Sequence, residues 1–303
     1  MANVEKTIVI CVATYNRSEL LKNCLSKINA LNVPANYKSI VIVVDNDVNE
    51  SAKAICDTIK NKSSIPLYYF CEPNRGISNA RNRLIQEALK FNPLLICFID
   101  DDEFPAADWL EKHTDAITEY NADVTTGPVV PVYELIPDDN IKIKHKFSTG
   151  HVPRHVAAGN VMFKSSLIQN QNLWFDKKYN FTGGEDFHFF DRSSKFGNKH
   201  IWVKDAIIYE TVLEERRTRR YLFFRHFTGA INNVLQYRSN NGLFASWLHF
   251  SLKIIGKIFG AFMAFVAAIF TMNNKKIDKS IVKFASAAGY VSGLLNIIIE
   301  RYK

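Results

Sequence analysis

The chain has 303 residues, of which 47% are hydrophobic and 22% charged; this length suits one large domain or two smaller ones, and this composition excludes an intrinsically disordered protein. The formal net charge of +8 is uneven, because the segment from residue 214 onward holds 14 Lys and Arg against 4 Asp and Glu. A basic excess that accompanies long apolar runs favours an anionic membrane surface over nucleic acid as a partner, and aromatic-rich nucleic-acid motifs are not evident.

Five cysteines lie in the first third of the chain, without paired spacing or a zinc pattern, which predicts reduced thiols. Residues 1–6 lack the basic-then-apolar layout of a signal peptide. We therefore expect the first domain to remain in the cytosol.

Apolar runs alternate with amphipathic helices over the first 100 residues, which predicts parallel βαβ units and a doubly wound α/β sheet. The predicted strands are 7–13, 39–44, 66–70 and 94–99, and the predicted helices begin near residues 18, 51 and 77. The sequence has neither a Gly-x-Gly-x-x-Gly after the first strand nor a Gly-Lys-Ser/Thr loop, which disfavours a dinucleotide oxidoreductase and a P-loop hydrolase.

Three of the predicted strands end in polar clusters, namely Thr14-Tyr15-Asn16, Asp45-Asn46-Asp47 and Asp100-Asp101-Asp102. Ligands of parallel sheets bind beyond the carboxyl ends of the strands. In an extended chain Asp100 and Asp102 project together while Asp101 points away, and such a pair suits a hard divalent metal that also holds phosphate oxygens. The alternative is a solvated acidic turn that caps the helix beginning near Pro105.

Five features in a fixed order resemble the family-2 glycosyltransferases, whose nucleotide-sugar-binding fold is called GT-A. They are Ala13-Thr14-Tyr15-Asn16-Arg17, Val44-Asp45-Asn46, the stretch 74–82, Asp100-Asp101-Asp102 and Gly183-Gly184-Glu185-Asp186. The resemblance covers about residues 5–212 and is nearest to bacterial members that build surface polysaccharide or lipopolysaccharide. It implies a Rossmann-like, mostly parallel central sheet flanked by helices, with a nucleotide-sugar-binding half (1–130) and an acceptor half (131–212).

The resemblance also implies roles for the residues at the strand ends. The nucleotide pocket would be lined by Thr14, Tyr15, Asn16 and Arg17, with Asn74, Gly76 and Arg81 before and within the third helix. Asp45 would accept a hydrogen bond from the base, which favours a UDP-sugar because uracil N3–H is the natural donor. Gly76 would permit close approach of the ligand, and Arg81 would reach the diphosphate.

By the same resemblance, Asp100 and Asp102 would hold Mn²⁺ or Mg²⁺ on the diphosphate, and Asp101 would contact the ribose or sugar. Members of the family often carry a histidine as a further metal ligand, where this sequence offers Glu210 instead. Asp186 is the candidate general base, with Glu185 as the second candidate. The base would take the proton of the acceptor hydroxyl during one displacement, which inverts the anomeric configuration.

The remainder, 213–303, reads as a basic and apolar helical extension. Two segments, 250–272 and 281–299, are each long enough to span a bilayer, and three lysines lie in the linker 273–280 between them. Those lysines favour a shallow hairpin in the cytoplasmic leaflet over two spanning helices. The alternative is a soluble helical pair packed on the catalytic domain or on another subunit, so an oligomer is possible.

The sequence therefore predicts a metal-dependent, inverting hexosyl- or N-acetylhexosaminyltransferase at the cytoplasmic face of the inner (plasma) membrane, peripheral or monotopic. Its acceptor would be a saccharide or a lipid-linked saccharide, recognised partly by the loop between Pro131 and Pro153. One alternative is a sugar-phosphate nucleotidyltransferase, although no Gly-rich loop with a lysine follows the first strand. The other is a non-catalytic membrane-bound assembly protein, which the intact acids at positions 100, 102 and 186 oppose.

Overall fold

The structure, a computed structural model, describes residues 6–133, 143, 145 and 147–297. The chain divides into two compact units: the first comprises Met1–Asn180 and Glu185–Val212, and the second comprises Phe181–Gly184 and Leu213–Lys303. Residues 1–5, much of the acceptor loop predicted between Pro131 and Pro153, and the end of the apolar segment 281–299 lie outside the described residues.

The first unit alternates strands and helices along the chain. Its strands are β1 (Lys6–Thr14), β2 (Tyr37–Asp45), β3 (Leu67–Cys71), β4 (Leu95–Asp100), β5 (Glu103–Pro105), β6 (Val124–Thr126), β7 (Val129–Val132), β8 (Val161–Lys164), β9 (His200–Trp202) and β10 (Ile208–Thr211). Its helices are α1 (Ser18–Ile28), α2 (Lys53–Lys60), α3 (Ile77–Leu89), α4 (Trp109–Glu119), α5 (Ser166–Gln169) and α6 (Glu185–Lys195). The five cysteines lie in the described part of this unit, and each thiol is free.

The central sheet has seven strands in the order β3-β2-β1-β4-β8-β6-β9. The four strands β3, β2, β1 and β4 are parallel, as the alternation of strands and helices predicted. Strand β8 runs antiparallel to both of its neighbours. A second sheet of three short strands, in the order β5-β10-β7, was not predicted. Strand β8 is short, since it begins only at Val161 and ends at Lys164.

Strand β4 is an unbroken apolar run before Asp100 and is buried on both faces. Its residues 95–99 are each at most 2% exposed. Cys97 and Ile99 pack into a core with Leu21 of α1, whereas Ile96 and Phe98 belong to a second core on the other face of the sheet. The alternation of side chains along one strand thus joins two helical layers, which places the end of β4 in the middle of the molecule's first unit.

The second unit contains α7 (Arg219–Thr271) and α8 (Asn274–Leu294), but α7 is not one straight helix. Gly242 has non-helical dihedral angles, with φ of 83° and ψ of 175°. The rings of Tyr237 and His249 stack at 4.3 Å, although twelve residues of straight helix would separate them by about 18 Å. The chain therefore reverses at Gly242 into two arms, which we call α7a (219–241) and α7b (243–271).

The two arms and α8 form a bundle of three helices. α7a runs parallel to α8, since Arg219 pairs with Asp278 near the start of both helices and Gly293 of α8 lies against Val234 further along. α7b runs antiparallel to α8, because Phe250 contacts Tyr290 while the Ser280 hydroxyl donates to the Ala261 carbonyl.

This arrangement corrects the predicted hairpin in two respects. The linker expected at 273–280 is helical from Asn274 onward, so only Met272 and Asn273 separate α7b from α8. The bundle also has a third member, α7a, which the hydropathy of the extension did not reveal because this arm is mostly polar.

Candidate active site

The carboxyl ends of three parallel strands meet at one edge of the central sheet. Thr14 of β1 lies opposite Asp45 of β2, and Ala13 lies opposite Asp100 of β4. The strand register therefore brings together the three polar clusters, as the sequence predicted.

The acidic triplet does not continue the strand, because β4 ends at Asp100 and the next two residues form a turn. Asp101 accepts hydrogen bonds from the Thr14 hydroxyl at 2.8 Å and from an Arg17 nitrogen at 3.2 Å. Asp102 accepts a hydrogen bond of 3.4 Å from that same nitrogen. The expectation that Asp101 points away from its neighbours is therefore wrong, since the alternation of an extended chain stops where the strand stops.

The three aspartates differ in their surroundings. Asp101 is buried, and burial raises its pKa to about 6, although the nearby Arg17 opposes the shift. Asp102 is also buried, whereas the side chain of Asp100 is 44% exposed. Asp100 is thus the most accessible member of the triplet.

Further carboxyl groups surround the triplet. Glu103 of β5 lies opposite Glu210 of β10, and the Oε2 of Glu103 accepts a hydrogen bond of 2.9 Å from the Asp100 backbone N–H. Burial raises the pKa of Glu103 well above its usual range, and the charges of Asp100, Asp102 and Glu210 add to this effect. The sequence analysis did not single out Glu103, because one acid beside three others carries no separate signal.

The donor chemistry of this region fits a hard divalent cation, since carboxylate oxygens are its preferred ligands and negative charge is concentrated here. Among the described residues, no group of three or more His, Cys, Asp and Glu side chains is placed so that it could hold a metal ion. The assignment of Asp100, Asp102 and Glu210 as metal ligands stays a prediction.

Arg81 links the end of β4 to the start of α6. Its side chain is 7% exposed, and its guanidinium forms ion pairs with Glu185 and, at 3.3 Å, with Asp100. Burial raises the pKa of Glu185 to about 7, against the opposing effect of Arg81. The Oε2 atom of Glu185 is buried and has no hydrogen-bond partner in the described part of the chain. In this structure the Arg81 guanidinium pairs with two carboxylates of the protein. Its contact with the diphosphate stays a prediction.

Asp186 follows Glu185 in the first turn of α6 but has different contacts. Its Oδ1 accepts a hydrogen bond of 2.7 Å from the Phe187 N–H, and its Oδ2 accepts a long one of 3.4 Å from the Ala158 N–H. The residue is only half-buried. Of the two candidate bases, Asp186 is the more accessible.

Asp45 lies at the predicted strand end, but its carboxylate is engaged with the protein. The residue is fully buried, and its Oδ2 accepts hydrogen bonds from the Ala52 N–H at 2.7 Å and from the Tyr69 hydroxyl at 3.1 Å. Its Oδ1 accepts one from the Asp47 N–H at 3.1 Å. These bonds hold the loop after β2, and the predicted contact of Asp45 with a base is left for experiment.

Asn46 connects this strand end to the loop before α3. Its Oδ1 accepts a hydrogen bond of 2.7 Å from the Gly76 N–H, and its Nδ2 donates to the carbonyls of Glu72 and Asn74. A Cβ on Gly76 would lie 2.4 Å from the side chain of Asn180. The close approach that requires glycine here is thus made by Asn180, where the sequence analysis expected a ligand.

At the exposed edge of the site, the aromatic ring of Tyr15 lies against the guanidinium of Arg75. Tyr15 is 41% exposed, and the Arg75 guanidinium lies 4.4 Å from its ring centroid. Asn16, the next residue, has a left-handed φ of 50°. A flat exposed surface of this kind suits stacking of a nucleotide base.

A family model described as "Glycosyl transferase family 2" matches residues 9–199. The Succinoglycan biosynthesis protein ExoM of Rhizobium meliloti (strain 1021) is 27% identical over 309 residues, covering 100% of this chain and 97% of that protein. The Glycosyltransferase GlyA of Streptococcus pneumoniae serotype 4 is 32% identical over 125 residues, covering 41% of this chain and 17% of that protein.

Two solved structures share the fold at low sequence identity. The mannosyltransferase PcManGT from Pyrobaculum calidifontis, in complex with GDP-Man and Mn²⁺, has a TM-score of 0.63 at 14% identity, covering 95% of this chain and 87% of that one. S. aureus TarS 1–349, in complex with UDP-GlcNAc, has a TM-score of 0.55 at 14% identity, covering 95% of this chain and 92% of that one. These matches and the sheet topology confirm the predicted GT-A fold.

Proposed function

This chain belongs to glycosyl transferase family 2, and from that membership we propose that it transfers a sugar from a nucleotide-sugar donor to a saccharide or lipid-linked acceptor during synthesis of a cell-surface polysaccharide. Similarity over the full length to a succinoglycan biosynthesis protein supports the surface polysaccharide. The observation that carries the proposal is that one guanidinium, that of Arg81, pairs with both Asp100 and Glu185. The end of β4, where the donor would bind, therefore lies close to the start of α6, which carries the proposed base.

The donor of this proposal is UDP-linked. Tyr15 and Arg75 offer a stacking surface at the rim, and Thr14 and Asn46 border the same edge of the sheet. A solved structure with this fold holds UDP-GlcNAc, which supports a uridine nucleotide, whereas another holds GDP-Man. The choice between the two nucleotides is therefore part of the experiment.

Asp186 acts as the general base in this proposal. Its half-buried carboxylate removes the proton of the acceptor hydroxyl while that oxygen attacks the anomeric carbon. The bond from the anomeric carbon to the nucleoside diphosphate breaks on the opposite face, so one displacement inverts the anomeric configuration. Glu185 is less suited to this role, because it is buried and one of its oxygens is held by Arg81.

Asp100 and Asp102 would hold Mn²⁺ or Mg²⁺, with Glu210 as a further candidate ligand. The bound ion would offset the negative charge of the departing diphosphate. Arg17 holds Asp101 and Asp102 in place from the other side of the turn. A neighbouring structure with Mn²⁺ supports the choice of metal.

The second unit is proposed to attach the enzyme to the cytoplasmic face of the membrane, as a peripheral or monotopic element. Among the described residues, one helix is long and apolar enough to cross a membrane, and only 11% of its most apolar window is buried. The exposed apolar side chains recur every three or four residues from Phe244 to Phe262 of α7b, and two more follow near its end. They are Phe244, Leu248, Leu252, Ile255, Phe259, Phe262, Ile269 and Phe270, each more than 60% exposed. We call this row the α7b stripe.

The charges of the bundle support an anionic surface as the partner of the α7b stripe. Arg219 pairs with Asp278, so the first turns of α7a and α8 lie at one end of the bundle. Basic residues collect at that end, namely Arg219, Arg220, Lys275, Lys276 and Lys279. Each Lys or Arg near an anionic leaflet contributes about 1 kcal/mol to the free energy of membrane binding, and each buried apolar side chain contributes about 1.5–3 kcal/mol. The α7b stripe therefore supplies most of the binding free energy, and the basic residues orient the bundle on the membrane.

A donor screen tests the proposed activity. The full chain is incubated with Mn²⁺, a lipid extract containing saccharide carriers, and in turn UDP-Glc, UDP-Gal, UDP-GlcNAc and GDP-Man. We expect acceptor-dependent release of UDP from one of the uridine donors. Release of pyrophosphate would indicate a nucleotidyltransferase, and release of neither product from any donor would contradict the enzyme proposal.

A further inference from the structure

The loop that leads into the proposed base is poorly constrained by its own residues. Gly183 and Gly184 have left-handed φ angles of 74° and 86°. Two consecutive residues without Cβ leave the backbone a wide choice of conformations, so a second element must select one of them. The loop continues without a break into α6, whose first two residues are Glu185 and Asp186.

Asn232 of α7a contacts this loop at two points. Its side-chain amide donates a hydrogen bond of 3.0 Å to the Thr182 carbonyl. A Cβ on Gly184 would lie 3.2 Å from the same Asn232 nitrogen, so the loop passes closely over this side chain. Thr182, Gly184 and Asn232 all belong to the second unit.

Asn232 is itself held on a rigid support. On the opposite face of α7a, a Cβ on Gly289 of α8 would come within 2.7 Å of the Ala230 Cβ, and a Cβ on Gly293 within 2.8 Å of the Val234 Cβ. Only glycines allow the two helices to approach this closely. Val234 is fully buried in the resulting core. A side chain on a packed helix loses little further entropy when it fixes a loop, which makes it an effective positioning group.

We infer that Asn232 is a positioning residue for the proposed transfer reaction: through the Thr182 carbonyl it sets the path of the double-glycine loop and so the place of Asp186. The inference rests on the proposed function for the identity of the base. It gives Asn232 a positioning role beside the proposed membrane attachment of the same unit. A misplacement of a reacting group by about 1 Å is enough to lower turnover about 100-fold, so one loop hydrogen bond matters to the rate.

The variants Asn232→Ala and Asn232→Asp test this inference in the full chain. The aspartate keeps the shape of the side chain but turns an acceptor toward the Thr182 carbonyl. Asn241→Ala is the matched control, because the Asn241 amide makes the same kind of bond, of 3.0 Å to the Tyr237 carbonyl, on the same arm. Hydrogen exchange of residues 182–187, UDP affinity with Mn²⁺, and turnover with the donor found by the screen are measured for each.

For both Asn232 variants we expect exchange in the loop to rise about tenfold, the scale of one lost hydrogen bond, and turnover to fall about 10- to 100-fold. UDP affinity should stay within about twofold, and Asn241→Ala should match the wild type in all three measurements. Unchanged exchange in the loop, or unchanged turnover despite faster exchange, would overturn the inference. Failure of the proposed function is seen separately, in a wild-type chain that transfers no sugar from any donor.

Discussion

Arg81 and Glu185 form a buried ion pair although 104 residues separate them in the sequence. The pair joins α3, which follows the third strand, to α6, which lies in the acceptor half. Because the second guanidinium nitrogen pairs with Asp100, the position of Glu185 depends on the position of the end of β4. The catalytic proposal depends on this connection more than on any other contact.

Replacing Arg81 by Met should destabilise the fold. The substitution leaves Glu185 buried without its cation, which costs about 3–5 kcal/mol when one partner of a buried pair is removed. Chemical denaturation at neutral pH measures the loss. Arg83→Met on the same helix is the matched control, because its partner Glu87 keeps an ion pair with Lys90. If the two variants had the same free energy of unfolding, the buried Arg81–Glu185 pair would contribute no more to stability than the Arg83–Glu87 pair.

The stability of the chain should depend on pH through Glu185. Burial raises its pKa from 4.5 to about 7, so the folded chain holds this proton more tightly than the unfolded chain does. That contribution is complete below about pH 4.5 and is lost as the pH rises through about 7.

Glu185→Gln cannot titrate, so its free energy of unfolding relative to the wild type should increase between about pH 5 and about pH 8, by up to about 3 kcal/mol. Urea unfolding of both proteins at the two pH values measures this change. Glu111→Gln, at an exposed position of α4, serves as the control. A constant difference between Glu185→Gln and the wild type would contradict the assigned shift.

Asp186→Asn should separate binding from chemistry. We expect the affinity for the donor to be unchanged and turnover to fall by about 10² to 10⁴, the contribution of a general base. Single-turnover kinetics and a donor titration measure the two quantities. If Asp186→Asn kept full activity while Glu185→Gln lost it, the base would be Glu185.

Asp102→Asn should weaken donor binding only when metal is present. Loss of a charged ligand lowers metal affinity by about tenfold or more, and the diphosphate binds through the metal in this proposal. Titration of UDP with and without Mn²⁺ gives the comparison. Asp108→Asn, at the start of α4 and paired with Lys112, is the control. Identical metal dependence in both variants would remove Asp102 from the ligand set.

Two charges on the α7b stripe should release the protein from membranes. Leu252 and Phe259 are 72% and 65% exposed, and changing both to Glu removes two apolar contributions of about 1.5–3 kcal/mol each. Flotation with phosphatidylglycerol-containing vesicles measures binding. Val48→Glu with Val152→Glu, at equally exposed positions of the first unit, is the control. A wild-type chain that does not float with these vesicles would contradict membrane attachment.

Point substitutions suit this test better than deletion of the apolar segments. A chain cut before Gly242 would keep α7a but lose α7b and α8, which bury its Ala230 and Val234. Such a cut would also remove the support of Asn232, so lost activity and lost membrane binding could not be told apart. The full-length variants keep the bundle intact.

Much of the first unit was predictable because its signals are local. The apolar run before Asp100 identified the central strand, and the polar residues at the ends of β1, β2 and β4 identified the edge of the sheet that carries the site. The reversal at Gly242 also has a local sequence signal, since Asn241-Gly242 is a dipeptide typical of turns. Hydropathy reports the length of an apolar segment and does not reveal such a reversal of the chain.

The sequence by itself determined the four parallel strands, the polar residues that follow three of them, and the family, because hydrophobic period and short motifs act over a few residues. Only the tertiary structure decided which charges meet. Arg81 pairs with Glu185 and Asp100, Arg17 holds Asp101 and Asp102, and Gly76 makes room for Asn180, because each contact depends on distances across the folded chain that no local pattern encodes. The burial that follows, and not the residue type, is what moves the pKa of Glu185 toward neutrality.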